Sequence, residues 1–220
     1  MGKKNKLKHF ADNLTYKNMF QPTYEELQQG YEMRGNWDSD FFKNGNLITL
    51  EVGCGKGEYT VGLGEKYPER NFIGMDIKGA RMWRGCTDAN DKGMTNVAFI
   101  RNHVQMVPNL FGEGEVDELW ITFPDPQPKK ENKRLTSPRF MEYYGKILKK
   151  GAIINFKTDN EPLFDYTLEM IEEQGHELLL SVKDLYNVEG FEEVKSIKTF
   201  YEKKFSALGY AINYLQFKLK

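Results

Sequence analysis

The 220-residue sequence predicts a doubly wound α/β fold with a mostly parallel sheet. Three observations carry that expectation. Short apolar runs of strand length alternate with longer amphipathic segments in five successive strand–helix–strand steps. Proline and glycine punctuate the joints, with proline at helix starts and glycine past helix ends. A glycine-rich turn stands between the first such strand and its helix, where sheets of this class hold ligands.

Residues 1 to about 45 are polar and aromatic, and form an extension expected to pack on the domain or to bind RNA. Within it, "FQPTYEEL" starts a helix, with Thr23 and Glu26 at capping-box spacing. The domain proper runs over 46–220, with strands predicted at 46–52, 70–77, 96–102, 117–123, 152–158, 176–185 and 210–220. Helices are predicted at 57–68, 79–93, 137–151 and 160–175, with a short helical piece near 104–111 and a further helix in "TFYEKKFSALG". No helix is evident between the last two strands, so these are expected to pair antiparallel at an edge.

A net charge of -1 with 29% charged residues excludes a uniformly basic nucleic-acid coat, but not a local basic face. No apolar run is long enough to span a bilayer or to serve as a signal peptide, so a cytoplasmic protein is expected. Cys54 and Cys86 stand in unrelated contexts, and His9, His103 and His176 are scattered; no metal is expected. Monomer and homodimer are both compatible with the sequence.

The glycine turn "LEVGCGKGEYT" departs from two phosphate-binding patterns. A P-loop requires Ser or Thr after its lysine, and Gly57 follows Lys56. A dinucleotide turn places a third glycine where Glu58 stands. Acid, x, Gly, x, Gly, x, Gly is left, with Glu51 as the acid. A carboxylate here repels a pyrophosphate and suits a cationic or amino-bearing ligand such as S-adenosylmethionine. Asp76 ends the next strand about 20 residues on, the place of a ribose-binding acid.

Together "LEVGCGKGEYT", "FIGMDIK", "FPDPQPKKENKRL", "INFKTDN" and "TFYEKKFSALG" resemble the bacterial tRNA (guanine-N7)-methyltransferases, in the same order over most of residues 47–209. The resemblance implies a seven-stranded Rossmann-like methyltransferase sheet with an antiparallel edge strand. It implies methyl transfer from S-adenosylmethionine to N7 of guanine 46 in the tRNA variable loop. It places Glu51, Gly53, Gly55, Asp76 and Asp125 at the cofactor, and Lys129, Asp159, Thr199, Phe200, Tyr201 and Glu202 at the substrate. Two departures stand out. Gln127 replaces the tryptophan usual after the first Asp-Pro. At the adenine ring, where an acid is usual, Asn102 or His103 is the candidate.

Guanine N7 is a bare acceptor. It needs no deprotonation, so the chemistry calls for positioning and for carboxylates that tolerate the charge moving onto the purine. Asp125 is the candidate catalytic group in that sense. The basic run Lys129, Lys130, Lys133 and Arg134, with Arg139 beyond, is expected to meet RNA phosphates. Rival readings are a class I methyltransferase acting on another RNA or a small molecule, and a non-catalytic cofactor- or RNA-binding module.

Overall fold

The computed structural model describes residues 3–220; Met1 and Gly2, at the head of the lysine-rich start, lie outside it. Its strands are β1 (Met19–Phe20), β2 (Ile48–Val52), β3 (Asn71–Asp76), β4 (Val97–Arg101), β5 (Val116–Thr122), β6 (Leu148–Thr158), β7 (Glu177–Val182) and β8 (Asn213–Lys218). Its α-helices are α1 (Lys3–Asn13), α2 (Tyr24–Gln29), α3 (Glu58–Lys66), α4 (Gly79–Asp91), α5 (Val107–Leu110), α6 (Pro138–Gly145), α7 (Glu161–Gln174), α8 (Glu192–Ser196) and α9 (Phe200–Ala207).

The strands form one sheet in the order β1-β4-β3-β2-β5-β6-β8-β7. From β1 to β6 all neighbours are parallel. From β2 the chain first winds outward through β3 and β4, then returns to β2's other side with β5 and β6. The winding therefore reverses between β2 and β5, and a crevice opens at their carboxyl ends. The glycine turn follows β2 and the proline loop follows β5, so the two most informative stretches of the sequence flank that crevice.

Side chains alternate across the sheet. Leu50, Val52, Ile73, Met75, Leu119, Ile121, Ile154 and Phe156 join one apolar layer with α5, α6 and α7. Phe72, Phe99, Trp120 and Tyr214 face a second layer under α3 and α4. The same second face carries Glu51, Thr122 and Lys157, all buried. A row of polar groups thus lies under the carboxyl end of the sheet.

The doubly wound, mostly parallel sheet with antiparallel pairing at its edge is as expected, with three refinements. Two-residue β1 adds an eighth strand. The antiparallel strand β8 sits one place in from the margin, between β6 and β7. The helix predicted to run from 137 to 151 ends at Gly145, because β6 begins at Leu148. Gly151, expected as that helix's stop, instead sits within β6 at φ +80°, beside the register shift against Val116 and Glu118. Ser137 holds the N-cap position of α6 without a side-chain cap bond. The capping box at Thr23 and Glu26 is formed.

The N-terminal segment lies against the rest of the chain. His9 stacks on Trp83 of α4 with ring centroids 3.8 Å apart, and Asn13 donates to the Gly79 carbonyl at 2.8 Å. Trp37 is fully buried and donates its indole N–H to the Leu110 carbonyl at 2.9 Å.

The glycine turn and α4 meet at closest approach. Gly57 holds φ +74°, and a Cβ there would lie 2.5 Å from the Phe99 ring; a Cβ on Gly85 would lie 2.8 Å from the Lys56 carbonyl. Gly57→Ala therefore combines a left-handed backbone with overpacking. It is expected to destabilise by about 2–4 kcal/mol, read as a lower denaturant midpoint, because both penalties fall on one Cβ.

Candidate active site

The crevice is a cleft of about 830 Å³. Its walls are the turn after β2, the ends of β3 and β4, the proline loop, Asp159 and Asn160 after β6, and Thr199, Phe200 and Tyr201 at the start of α9. Every contributing strand delivers its carboxyl end.

Gly53, Gly55 and Gly57 all hold positive φ, at +77°, +58° and +74°. That run of left-handed residues bends the backbone back on itself beside the mouth of the cleft. Asp76 fixes the curl: its carboxylate accepts from the Gly55 N–H at 3.0 Å and from the Lys78 N–H at 2.8 Å. Above Gly53 and Gly55 there is open space. A Cβ on Gly53 would meet only Leu135 Cδ1 at 3.5 Å, and one on Gly55 only the Gly53 carbonyl at 4.0 Å.

Glu51 lies beneath the turn, 2% exposed, and does not line the cleft. It accepts from the Thr60 N–H at 3.0 Å, from the Thr60 hydroxyl and, across the sheet, from the Thr122 hydroxyl. Gly57, the N-cap of α3, has no side chain to satisfy the helix's free N–H groups, so Glu51 caps it from the neighbouring strand. Burial raises its pKa, against the lowering effect of the threonine donors.

The proline loop leaves β5 through Phe123 at φ +48° and turns again at Gln127 at φ +44°. Two non-glycine residues in the left-handed region within five positions mark a strained segment. Asp125 between them is exposed, lines the cleft, and accepts from the Gln127 N–H at 3.2 Å. Arg134 braces the loop from below. It donates to the Pro126 carbonyl at 3.2 Å and its guanidinium lies 4.1 Å from the Tyr166 ring centroid. By sequence Arg134 belongs with the basic patch, but its side chain is only 12% exposed and is spent inside the fold. Lys133 and Arg139 line the cleft and are exposed; Lys129 and Lys130 are exposed on the same loop but do not line it.

Asn102 and His103, after β4, take different places. His103 lines the cleft; Asn102 turns away and donates to the Pro22 carbonyl at 3.0 Å. Asp159 lines the cleft, half-buried, and burial raises its pKa.

Thr199 and Glu202 form a capping box at the start of α9. The signal is present in the sequence as "TFYE". Phe200 is 45% exposed, and its N–H donates to the Glu58 carboxylate at 2.6 Å while the Lys56 ammonium sits 3.6 Å from its ring centroid. Glu58, which in the sequence serves only to exclude a dinucleotide turn, thus joins the glycine turn to α9. Glu202, expected at the substrate, faces inward: it is fully buried and pairs with Lys157 at 2.6 Å.

A family model described as putative methyltransferase matches residues 45–215. The chain is 48% identical to a tRNA (guanine-N(7)-)-methyltransferase of Bacteroides fragilis over 98% of its own length and 86% of the relative's. It is 47% identical to the protein of the same name from Christiangramia forsetii over the full length of both. The chain belongs to the tRNA (guanine-N(7)-)-methyltransferase family. The sheet is shared more widely among methyltransferases: the solved structure of the 16S rRNA methyltransferase KamB superposes with a TM-score of 0.63 at 17% identity, over 90% of this chain and 92% of that one.

For a member of this family, the cleft fits S-adenosylmethionine. The open glycine cradle admits a ligand close to the backbone. Asp76, with two internal donors on four acceptor sites, keeps capacity for ribose hydroxyls. The volume is within the range of small-molecule sites and leaves room beside the cofactor for a base. Among the described residues no group of His, Cys, Asp and Glu is arranged to hold a metal ion, and no helix is long and apolar enough to cross a membrane.

Proposed function

We propose that this chain binds S-adenosylmethionine against the turn Gly53–Gly57 and Asp76, and methylates N7 of guanine 46 in the variable loop of tRNA, in the cytoplasm, forming 7-methylguanosine. The observation that carries the reading is the meeting of three elements in one cleft: the glycine cradle, the exposed Asp125 of the proline loop, and a lysine rim beside it. The names of the full-length relatives agree with it.

The cofactor supplies an electrophilic methyl group on a sulfonium. The chain's residues supply position and field. The N7 lone pair forms the new carbon–nitrogen bond as the carbon–sulfur bond breaks, and the positive charge passes to the purine; no proton need leave. Asp125 accepts from the guanine Watson–Crick edge, a donor pair adenine lacks, and stabilises the cationic product. Its strained loop restricts the carboxylate before substrate arrives, so less freedom is lost on binding. Asp159, half-buried after the neighbouring strand β6, is a second acceptor toward the base. Thr199, Phe200 and Tyr201 form the remaining wall. His103 borders the adenine end. Lys129 and Lys130 contact phosphates, which set affinity and salt dependence rather than base choice.

Nuclease digestion of treated tRNA with mass identification of the product tests the reading; 7-methylguanosine is expected, and any other modified nucleoside overturns it. Asp125→Ala and Asp125→Asn are each expected to lower kcat/KM by about 100-fold, the scale of removing one preorganised electrostatic partner. Near-normal turnover of the alanine variant removes Asp125 from the mechanism. Replacing Lys129 and Lys130 by Gln is expected to weaken tRNA binding and flatten the slope of log K against log salt by about 1–2, roughly one for each phosphate no longer neutralised. An unchanged slope assigns phosphate binding elsewhere.

A further inference from the structure

Lys157 and Glu202 are both fully buried, and neither lines the cleft. Lys157 ends the central part of β6, two residues before Asp159; Glu202 is in the first turn of α9. Their side chains meet at 2.6 Å. The Lys157 ammonium also donates to the Val194 carbonyl of α8 at 3.1 Å and sits 5.4 Å from the Tyr59 ring centroid of α3. The Glu202 carboxylate further accepts from the Tyr186 hydroxyl at 2.6 Å. One ion pair therefore gathers β6, α3, α8, α9 and the Leu185–Asn187 turn. Burial lowers the Lys157 pKa, opposed by the attraction of Glu202.

Such a pair is a poor way to gain stability, because withdrawing two charges from water largely offsets their attraction. It is directional, however, and an apolar contact of the same size is not. What it directs is α9, whose first turn presents Thr199, Phe200 and Tyr201 to the cleft. We propose that Lys157 and Glu202, with Tyr186, act as positioning residues: a buried latch that fixes the α9 wall for the guanine substrate without touching substrate or cofactor. The proposal rests on the methyltransferase reading above. Glu202 is then an anchor inside the fold rather than a substrate contact.

The test is the double variant Lys157→Met/Glu202→Gln, which removes the pair without leaving a lone buried charge and keeps a residue able to complete the capping box. It is compared with wild type for melting temperature, S-adenosylmethionine affinity by calorimetry, and kcat and KM for a tRNA transcript. The variant is expected to fold and to keep cofactor affinity within about twofold, while kcat/KM for tRNA falls about 10- to 100-fold, chiefly through KM, as for a small displacement of a substrate wall. Tyr186→Phe, which removes one hydrogen bond on the same carboxylate, is expected to shift KM the same way by about threefold, a small part of the roughly 10- to 150-fold worth of a hydrogen bond to a charged group. A double variant with tRNA kcat/KM close to wild type overturns the latch, as does a fall matched in cofactor affinity. If the double variant does not fold, Tyr186→Phe decides, and an unchanged KM overturns the proposal. Wild-type protein that yields no 7-methylguanosine refutes the reading of function instead; the latch is then judged on tRNA-binding affinity of the same variants.

Discussion

The Glu51 carboxylate, shut off from water at the end of β2, ties together the two sides of the sheet where the winding reverses. One partner, Thr60, belongs to the first turn of α3, and the other, Thr122, ends β5 where the proline loop departs. A carboxyl group in this place is costly unless it is hydrogen-bonded, and Glu51 accepts three bonds. Here the use is structural economy: a glycine turn cannot carry its own cap, and the strand that precedes it supplies one. The shape of the cradle and the departure point of the acidic loop are set by the same side chain. Any ligand between them meets two surfaces with a common foundation.

Charge of both signs lines the cleft. Asp76 and Asp159 follow strand ends and are partly buried, while Lys133 and Arg139 line the cleft exposed, with Lys129 and Lys130 exposed on the same loop. Salt screens the exposed lysines more than the partly buried acids. The chain's net charge of -1 conceals this arrangement completely. Arg134 shows why counting basic residues is insufficient: it belongs to the same run but braces Pro126 from within.

Much of this was legible in the sequence because the signals are local. Asn160, Pro162 and Gly175 bracket α7 as start and stop residues do, and Thr23 with Glu26 announces α2. The wrong end for α6 has a physical cause as well. Gly151 looks like a helix terminator, yet its left-handed φ serves an irregularity between β5 and β6. Helix α1 carries four lysines and little apolar periodicity, and it is held by tertiary contacts such as the stack of His9 on Trp83. The Lys157–Glu202 pair had no local signature at all. A lysine in a strand reads as solvent-facing, and only the fold brings a partner 45 positions away to meet it.

The position of β8 has a consequence for the order in which the molecule comes into being. β8 pairs with β6 on one side and β7 on the other, yet it follows every other strand in the chain. During synthesis from the N-terminus, the cradle, Asp76 and the proline loop can assemble while the margin of the sheet is still open. The α8–α9 segment is tethered at both ends only when β8 inserts beside β6, a closure between residues far apart in sequence and so among the slower steps of folding. A nascent chain would hold the glycine-turn side of its cleft before it owned the α9 wall. Completion of the cleft is thereby deferred to the last strand.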